Sequence, residues 1–393
     1  MKLNFLKTFA AVVAVVATGS AAIAQNNYVA GDDISLASYE DLLTRVQGLE
    51  AQLASKSPYQ GVETCGYQVG GGCAPDGCGL ESACCQPECN NGGCYVMYES
   101  VIVAPHFGTN TAYVIDNSDN DTADTMKNVQ FDWDLEYSPR IELGYISPCT
   151  NVGWRARYWH FEHSNGVRAV NNTDADDVFN VEPQDDPDIQ INVDDGDILE
   201  STHSLALRVF DLEGMRRAGS NGTTFTGSAG LRYVRMDQTL NAGDFDGANG
   251  NLLDSLRYRH NFEGIGPTCS VEALRRIRCS NWGVFGNLRG SLLYGTSDID
   301  AVDYNYPSGT VNQKYDMHNP RDLMGVAETQ LGVDYRRCCS SGHTLFLRAA
   351  WELQYWANGG SGNGQHGDDD DRIPNTETDM GFMGVTASAG VDF

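Results

Sequence analysis

From Tyr95 to Phe393 apolar and polar side chains alternate with a period of two, the spacing of strands that send successive side chains to opposite faces. In GVFGNLRGSLLYG (283–295), Val284, Leu288, Leu292 and Tyr294 share one face with Gly286 and Gly290, and Asn287, Arg289 and Ser291 take the other. Leu345, Leu347, Ala349, Trp351, Leu353 and Tyr355 oppose Arg348, Glu352 and Gln354 in the same manner. The terminal GFMGVTASAGVDF sets Met383, Val385, Ala387, Ala389, Val391 and Phe393 against Thr386, Ser388 and Asp392. Upstream the period differs: Tyr39, Leu42, Val46, Leu49 and Leu53 recur at spacings of three and four, predicting a short helix over 34–54 that ends before Pro58. It reads equally as a coiled-coil seam for a homo-oligomer or as one amphipathic helix.

Alternation alone also suits a soluble sandwich. Two features point instead to a barrel in the outer membrane. Tyr145, Trp154, Tyr158, Tyr233, Tyr294, Tyr335, Trp351 and Tyr355 fall on the apolar face near strand ends, where interfacial girdles lie. Short connections (147–151, 216–221, 278–282, 336–342) alternate with long ones near 106–130, 165–198, 241–255, 296–321 and 358–380. The prediction is an all-β, antiparallel, up-and-down transmembrane β-barrel of about ten strands over 95–393, with the short turns and the N-terminal segment on the periplasmic side.

The first residues fit a secretory signal: Lys2 and Lys7, an apolar run, then Ala22-Ile23-Ala24, giving residues 1–24 as the expected signal peptide. Residues 25–57 then form the helical segment and 58–94 a Cys-rich one. The net charge of −27 excludes an electrostatic nucleic-acid binder. Acidic stretches around 174–197 and 368–371 read as solvated loops unable to bury a core. Twelve cysteines in an exported chain predict disulfides. The candidates are Cys65, Cys73, Cys78, Cys84, Cys85, Cys89 and Cys94 in one cluster, then Cys149, Cys269, Cys279, Cys338 and Cys339. Cys149, Cys279, Cys338 and Cys339 lie in short turns, on the side of the cluster, so a periplasmic collar stapled to those turns, links to neighbouring molecules, and purely local pairs all remain open.

Candidate chemistry is sparse. GWRARYWHFEHSNG (153–166) ends on a His-Ser-Asn-Gly run like that of the outer-membrane phospholipases, but His163 and Ser164 are adjacent, so on a strand they face opposite ways. His160 and Ser164 share a face at about 13 Å along an extended strand, too far to touch. His160 and His163, three apart, also diverge as metal ligands. DFDGANGNLLDS (244–255) resembles a calcium loop with Ala248 at a ligand position and its glycines misplaced. No hydrolase elbow, zinc-protease helix or phosphate loop is present in the sequence, so neither turnover chemistry, a cofactor nor a metal is expected.

Strand parity predicts the lumen: Arg155, Arg157, Arg208, Arg232, Arg257, Arg259, Arg289 and Arg348 inside, with Glu142, Glu263, Glu328, Glu352 and Asp334 paired to them. Ten strands lined by such side chains leave a narrow pore at most. Arginines in its narrowest part would outweigh the acidic loops in setting ion selectivity.

At YSPRIELGY (137–145), GWRARYWHF (153–161), RVFDLE (208–213), NLRGSLLYG (287–295) and the final GVDF, the chain resembles the pore-forming outer-membrane family related to the Legionella major outer-membrane protein, in its planctomycete form, over roughly 95–393. The resemblance implies an outer-membrane barrel embedded in lipid and passing small solutes or ions. It supplies no catalytic residue. A non-conducting scaffold or adhesin is the alternative, and a hydrolase at the barrel rim a second one.

Overall fold

The computed structural model describes residues 92–108, 110–117, 125–171, 178–181, 189–220, 222–277, 280–306, 308–339, 342–360 and 379–393. The expected signal peptide, helix and most of the Cys-rich segment lie outside these residues, as does Cys279.

The strands are β1 (Gly93–Phe107), β2 (Thr111–Asn117), β3 (Thr125–Gln130), β4 (Glu136–Ile146), β5 (Val152–Val170), β6 (Val178–Val181), β7 (Ile191–Val193), β8 (Ile198–Ser220), β9 (Thr223–Phe245), β10 (Leu252–Arg276), β11 (Trp282–Asn305), β12 (Thr310–Cys338), β13 (Thr344–Ala357) and β14 (Met380–Asp392). Ten of them close into an antiparallel barrel in the order β1-β14-β13-β12-β11-β10-β9-β8-β5-β4. Closure is made by β1, which pairs with β14 from Tyr95↔Asp392 to Phe107↔Met380 and with β4 from Gly93↔Ile146 to Val103↔Glu136. No barrel edge is left at these strands, so their backbone groups are satisfied within the sheet, the condition for spanning lipid.

The strands are strongly tilted. Following register partners from Leu323 on β12 through Tyr294, Ile265, Tyr233, Phe210, Tyr158, Ile141, Tyr98, Ala389 and Leu347 returns to β12 at Tyr335, far down the same strand. The short turns lie at one end. Asn151, at φ 57°, closes the β4–β5 turn, and Gly222, at φ 76°, the β8–β9 turn, residue types that tolerate the left-handed region.

Alternation sorts the side chains as the pattern predicts. Val96, Leu143, Leu231, Leu288, Leu331, Trp351 and Val385 are exposed on the outer wall. Of the aromatics expected in the girdles, Tyr145, Trp154, Tyr158, Tyr233, Tyr294, Trp351 and Tyr355 are among these outward residues.

Two expectations need correction. Residues 241–255 and 296–321 are not long loops: β9 to β12 run on through Phe245, Leu252, Asn305 and Thr310. Acidic side chains do not stop a strand when they alternate, as in DIDAVDYN, because each can point to solvent or cap an interior layer. The stretches near 106–130 and 165–198 also hold structure, a four-stranded sheet in the order β3-β2-β6-β7. Phe179, Val181, Ile189, Ile191 and Val193, set among the aspartates, are buried against Leu199, Leu240, Leu256, Tyr258 and Ile299 of the barrel strands. The acidic stretch does bury a core, because its few apolar residues line one side of a small sheet. This sheet covers the long-loop end of the barrel interior.

Candidate functional site

The interior is layered along its axis. Toward the short-turn end lies a belt of ion pairs. Arg140, only 1% exposed, bridges Glu99 (Nη1–Oε2 2.8 Å) and Glu352 (Nη2–Oε1 2.6 Å), on strands β4, β1 and β13. Arg157 joins Asp211 (Nε–Oδ2 2.9 Å) to Glu328 (Nη2–Oε2 3.0 Å) across the lumen. Arg232 meets Asp211 at 2.6 Å and also contacts Glu328. Arg289 sits between Asp211, at 3.2 Å, and Glu213. Arg155 contacts Glu213 and donates to Ser228 (2.8 Å) and Ser270 (2.7 Å). Nearer the turns, Arg348 donates to Glu272 through both terminal nitrogens (2.9 and 3.1 Å) and to Asp334 through Nε (3.0 Å). The Tyr95 hydroxyl donates to Glu142 at 2.7 Å.

These contacts follow from parity. On each strand the inward positions alternate with lipid-facing ones, so Arg155 and Arg157 point in between Trp154 and Tyr158. Charges removed from water in this way are tolerated only when paired.

Between these groups remain two polar cavities. One, of about 30 Å³, is lined by Glu142, Arg155, Arg157, Arg289, Gln330 and Arg348 among others. The second, of about 50 Å³, lies toward the turns beside Tyr95, Arg217, Glu272, Arg336 and Asp392.

Above the belt the lumen is apolar. Trp159, Phe161, Leu205, Leu207, Val209, Met236, Phe262, Met324, Trp356 and Phe382 form one buried cluster across the barrel. Phe161 and Phe382 meet edge to face at 5.0 Å, and Trp159 meets Phe382 at 5.6 Å. Arg140 lies over the Trp159 ring at 5.1 Å, tying belt to layer. Over this stands His203, packed against Phe107, Phe131 and Trp133, with its Nδ1 2.9 Å from Asn110 Oδ1. Its neighbours on β8, Thr202 and Ser204, are polar and face outward, beyond the lipid-facing band. Burial pushes the His203 imidazole down to about 4, so the ring is neutral and Nδ1–H can donate to that oxygen.

The structure places Arg155, Arg157, Arg232, Arg289, Arg348, Glu142, Glu328, Glu352 and Asp334 on the inner wall. It sets Arg208, Arg257 and Glu263 on the exposed outer face, with Arg259 half-buried beside them. The reason is register: Arg208 has the parity of outward Phe210 and Leu212, and Arg257, Arg259 and Glu263 that of outward Ile265. Glu99, Asp211, Glu213 and Glu272 join the expected acids beside the arginines there. Arg140, Glu99, Asp211 and Glu213 were legible in ESVIV, SPRIELG and RVFDLE, where the acids and Arg140 alternate with lipid-facing Ile141, Phe210 and Leu212.

The hydrolase-like residues are splayed. His160, Glu162 and Ser164 lie on one face of β5 and His163 on the other, where its Nδ1 is 3.2 Å from Glu136. Among the described residues no group of three or more His, Cys, Asp or Glu is gathered to hold a metal. In the calcium-like stretch, Asp246 Oδ1 instead accepts from the Ala248 backbone at 2.8 Å within the β9–β10 turn. Cys149 and Cys338, at short turns, are disulfide-bonded, while Cys94, Cys269 and Cys339 are free thiols.

The fold is similar to that of several solved outer-membrane proteins. The outer membrane protease OmpT from Escherichia coli has 10% identity over 77% of this chain and 97% of that one, at TM-score 0.38. A major outer membrane protein from Thermus thermophilus has 11% identity over 63% and 100%, at 0.30. The Pseudomonas putida toluene transporter TodX has 8% identity over 77% and 89%, at 0.24. No curated protein sequence matches the chain. The family described as Legionella pneumophila major outer membrane protein precursor matches residues 87–393, and the chain belongs to it: this is a β-barrel protein of the bacterial outer membrane, set in its lipid.

Proposed function

We propose that the protein is a normally closed pore, passing small ions and polar solutes in brief, narrow openings. The observation that carries this reading is the layering of the lumen, with polar cavities among Arg155, Arg157, Arg289 and Arg348 that end beneath the apolar layer of Trp159, Phe161 and Phe382. A dry constriction above a wet, charged segment is a recurring gate, since an apolar neck empties of water when narrow and conducts when widened. The pore-lining residues are then Arg140, Arg155, Arg157, Arg232, Arg289 and Arg348 with Glu142, Glu328 and Glu352. Because carboxylates match the arginines, selectivity between small anions and cations is weak.

Planar-bilayer recording of the refolded chain tests this. Rare, small openings with little ion preference support a closed pore, whereas a steady large conductance contradicts it. The complete pairing of the belt favours a second reading, a non-conducting structural barrel, and folded barrels that stay silent would establish that one.

A further inference from the structure

Outward arginines that the lumen does not use gather at the edge of the lipid-facing wall. Phe210, Tyr233 and Ile265 are register partners across β8, β9 and β10 and are exposed, marking the extracellular margin of the apolar surface. Two residues further outward, Arg208 and Arg235 are register partners of each other, and both are exposed. Two guanidiniums thus stand directly opposed on adjacent strands, an arrangement in which like charges repel.

The acids around them relieve this only in part. Arg235 is held by Asp237 (Nε–Oδ2 3.1 Å), and the next residue of the row, Glu263, accepts the Tyr233 hydroxyl at 2.9 Å. Arg208 makes no ion pair among the described residues. Its partner on the other side, His160, is 3.8 Å from Glu162, and the His160 Nε2 is buried with no hydrogen-bond partner. Of the two outward guanidiniums, Arg235 thus has a carboxylate beside it, and Arg208 has none among the described residues.

We propose that Arg208 and Arg235 bind the phosphate group of an anionic lipid of the outer leaflet. Guanidinium forks match phosphate oxygens two at a time, and a shared phosphate replaces Arg–Arg repulsion with attraction. The height is right for a headgroup: arginine stems cover apolar wall while their heads reach the lipid–water boundary. The lipid's acyl chains would lie along Phe210, Leu212 and Leu231, all exposed just below.

The test is native mass spectrometry of the full chain in detergent micelles with bisphosphorylated lipid A, alongside Arg208→Gln/Arg235→Gln. Retention by the wild type and at least about tenfold weaker binding by the variant are expected. Dephosphorylated lipid A is expected to bind as weakly as the variant does. Equal binding by variant and wild type overturns the proposal, as does equal binding of the dephosphorylated lipid. Displacement of the lipid by millimolar inorganic phosphate overturns it too, since the site would then serve the free ion. Should the glutamines prevent folding, Arg208→Lys/Arg235→Lys keeps the charge and removes the forks. About threefold weaker binding is then expected, and unchanged binding overturns the assignment.

Discussion

Arg140 shows what a single residue does in this lumen. Its guanidinium separates Glu99 from Glu352, and Gln330 donates to Glu352 at 2.8 Å to complete the cluster. Arg140→Ala leaves two buried carboxylates facing each other, with an expected cost of about 3–5 kcal/mol. Urea unfolding in detergent, followed by the gel shift of the folded barrel, should show a clearly lowered midpoint. Arg208→Ala, on the outer wall, should stay within about 0.5 kcal/mol in the same assay. Equal losses would mean that the belt is not a compensated buried network. At the long-loop end Asp244 behaves differently. Burial, with Asp197, Asp254, Asp194 and Asp246 nearby, pushes its carboxyl up to about 7. A folded-state value above the unfolded one means that the folded form holds the proton more tightly. The stabilisation is therefore fully present below about pH 4 and lost as pH rises through 7. Hydrogen exchange of the β9–β10 hairpin should quicken across that window, and Asp244→Asn should flatten the change.

At the scale of elements, β8 carries the main lesson. It turns Leu205, Leu207 and Val209 inward and Phe210 and Leu212 outward, so both of its faces are apolar over several residues. Hydrophobicity then stops distinguishing lumen from lipid. That is why Arg208 read as a lumenal residue, while Arg155, Arg157 and Arg348, on strands with one polar face, were legible. Strands β9 to β12 posed the same difficulty beyond the membrane, where water replaces lipid and outward residues such as Arg257 and Asp298 need not be apolar. The apolar layer above the belt, which β5 and β14 help to build, makes its own prediction. Removing the facing rings of Phe161 and Phe382 should destabilise the barrel by about 3–5 kcal/mol per ring and widen the neck. Liposome swelling in small sugars should accelerate in Phe161→Ala/Phe382→Ala, and an unchanged rate would place the constriction elsewhere.

For the whole molecule, closure is the property that the sequence displays best. Alternation, aromatic placement and short turns each follow from the demand that backbone groups be satisfied inside lipid, so they mark the ten strands without knowledge of contacts. The cover over the interior was not visible. Its strands β2, β3, β6 and β7 are short, lie among aspartates, and gain their burial from one another and from residues such as Leu240 and Ile299 on barrel strands far away in the chain. Belt, apolar layer and cover are stacked along one axis, the arrangement from which the closed pore is proposed. Single-channel recording of wild type beside Phe161→Ala/Phe382→Ala tests that most directly. The wild type is expected to be closed nearly all the time and the variant to show frequent, larger openings. A wild type that conducts continuously, or a folded variant as silent as its parent, would contradict it.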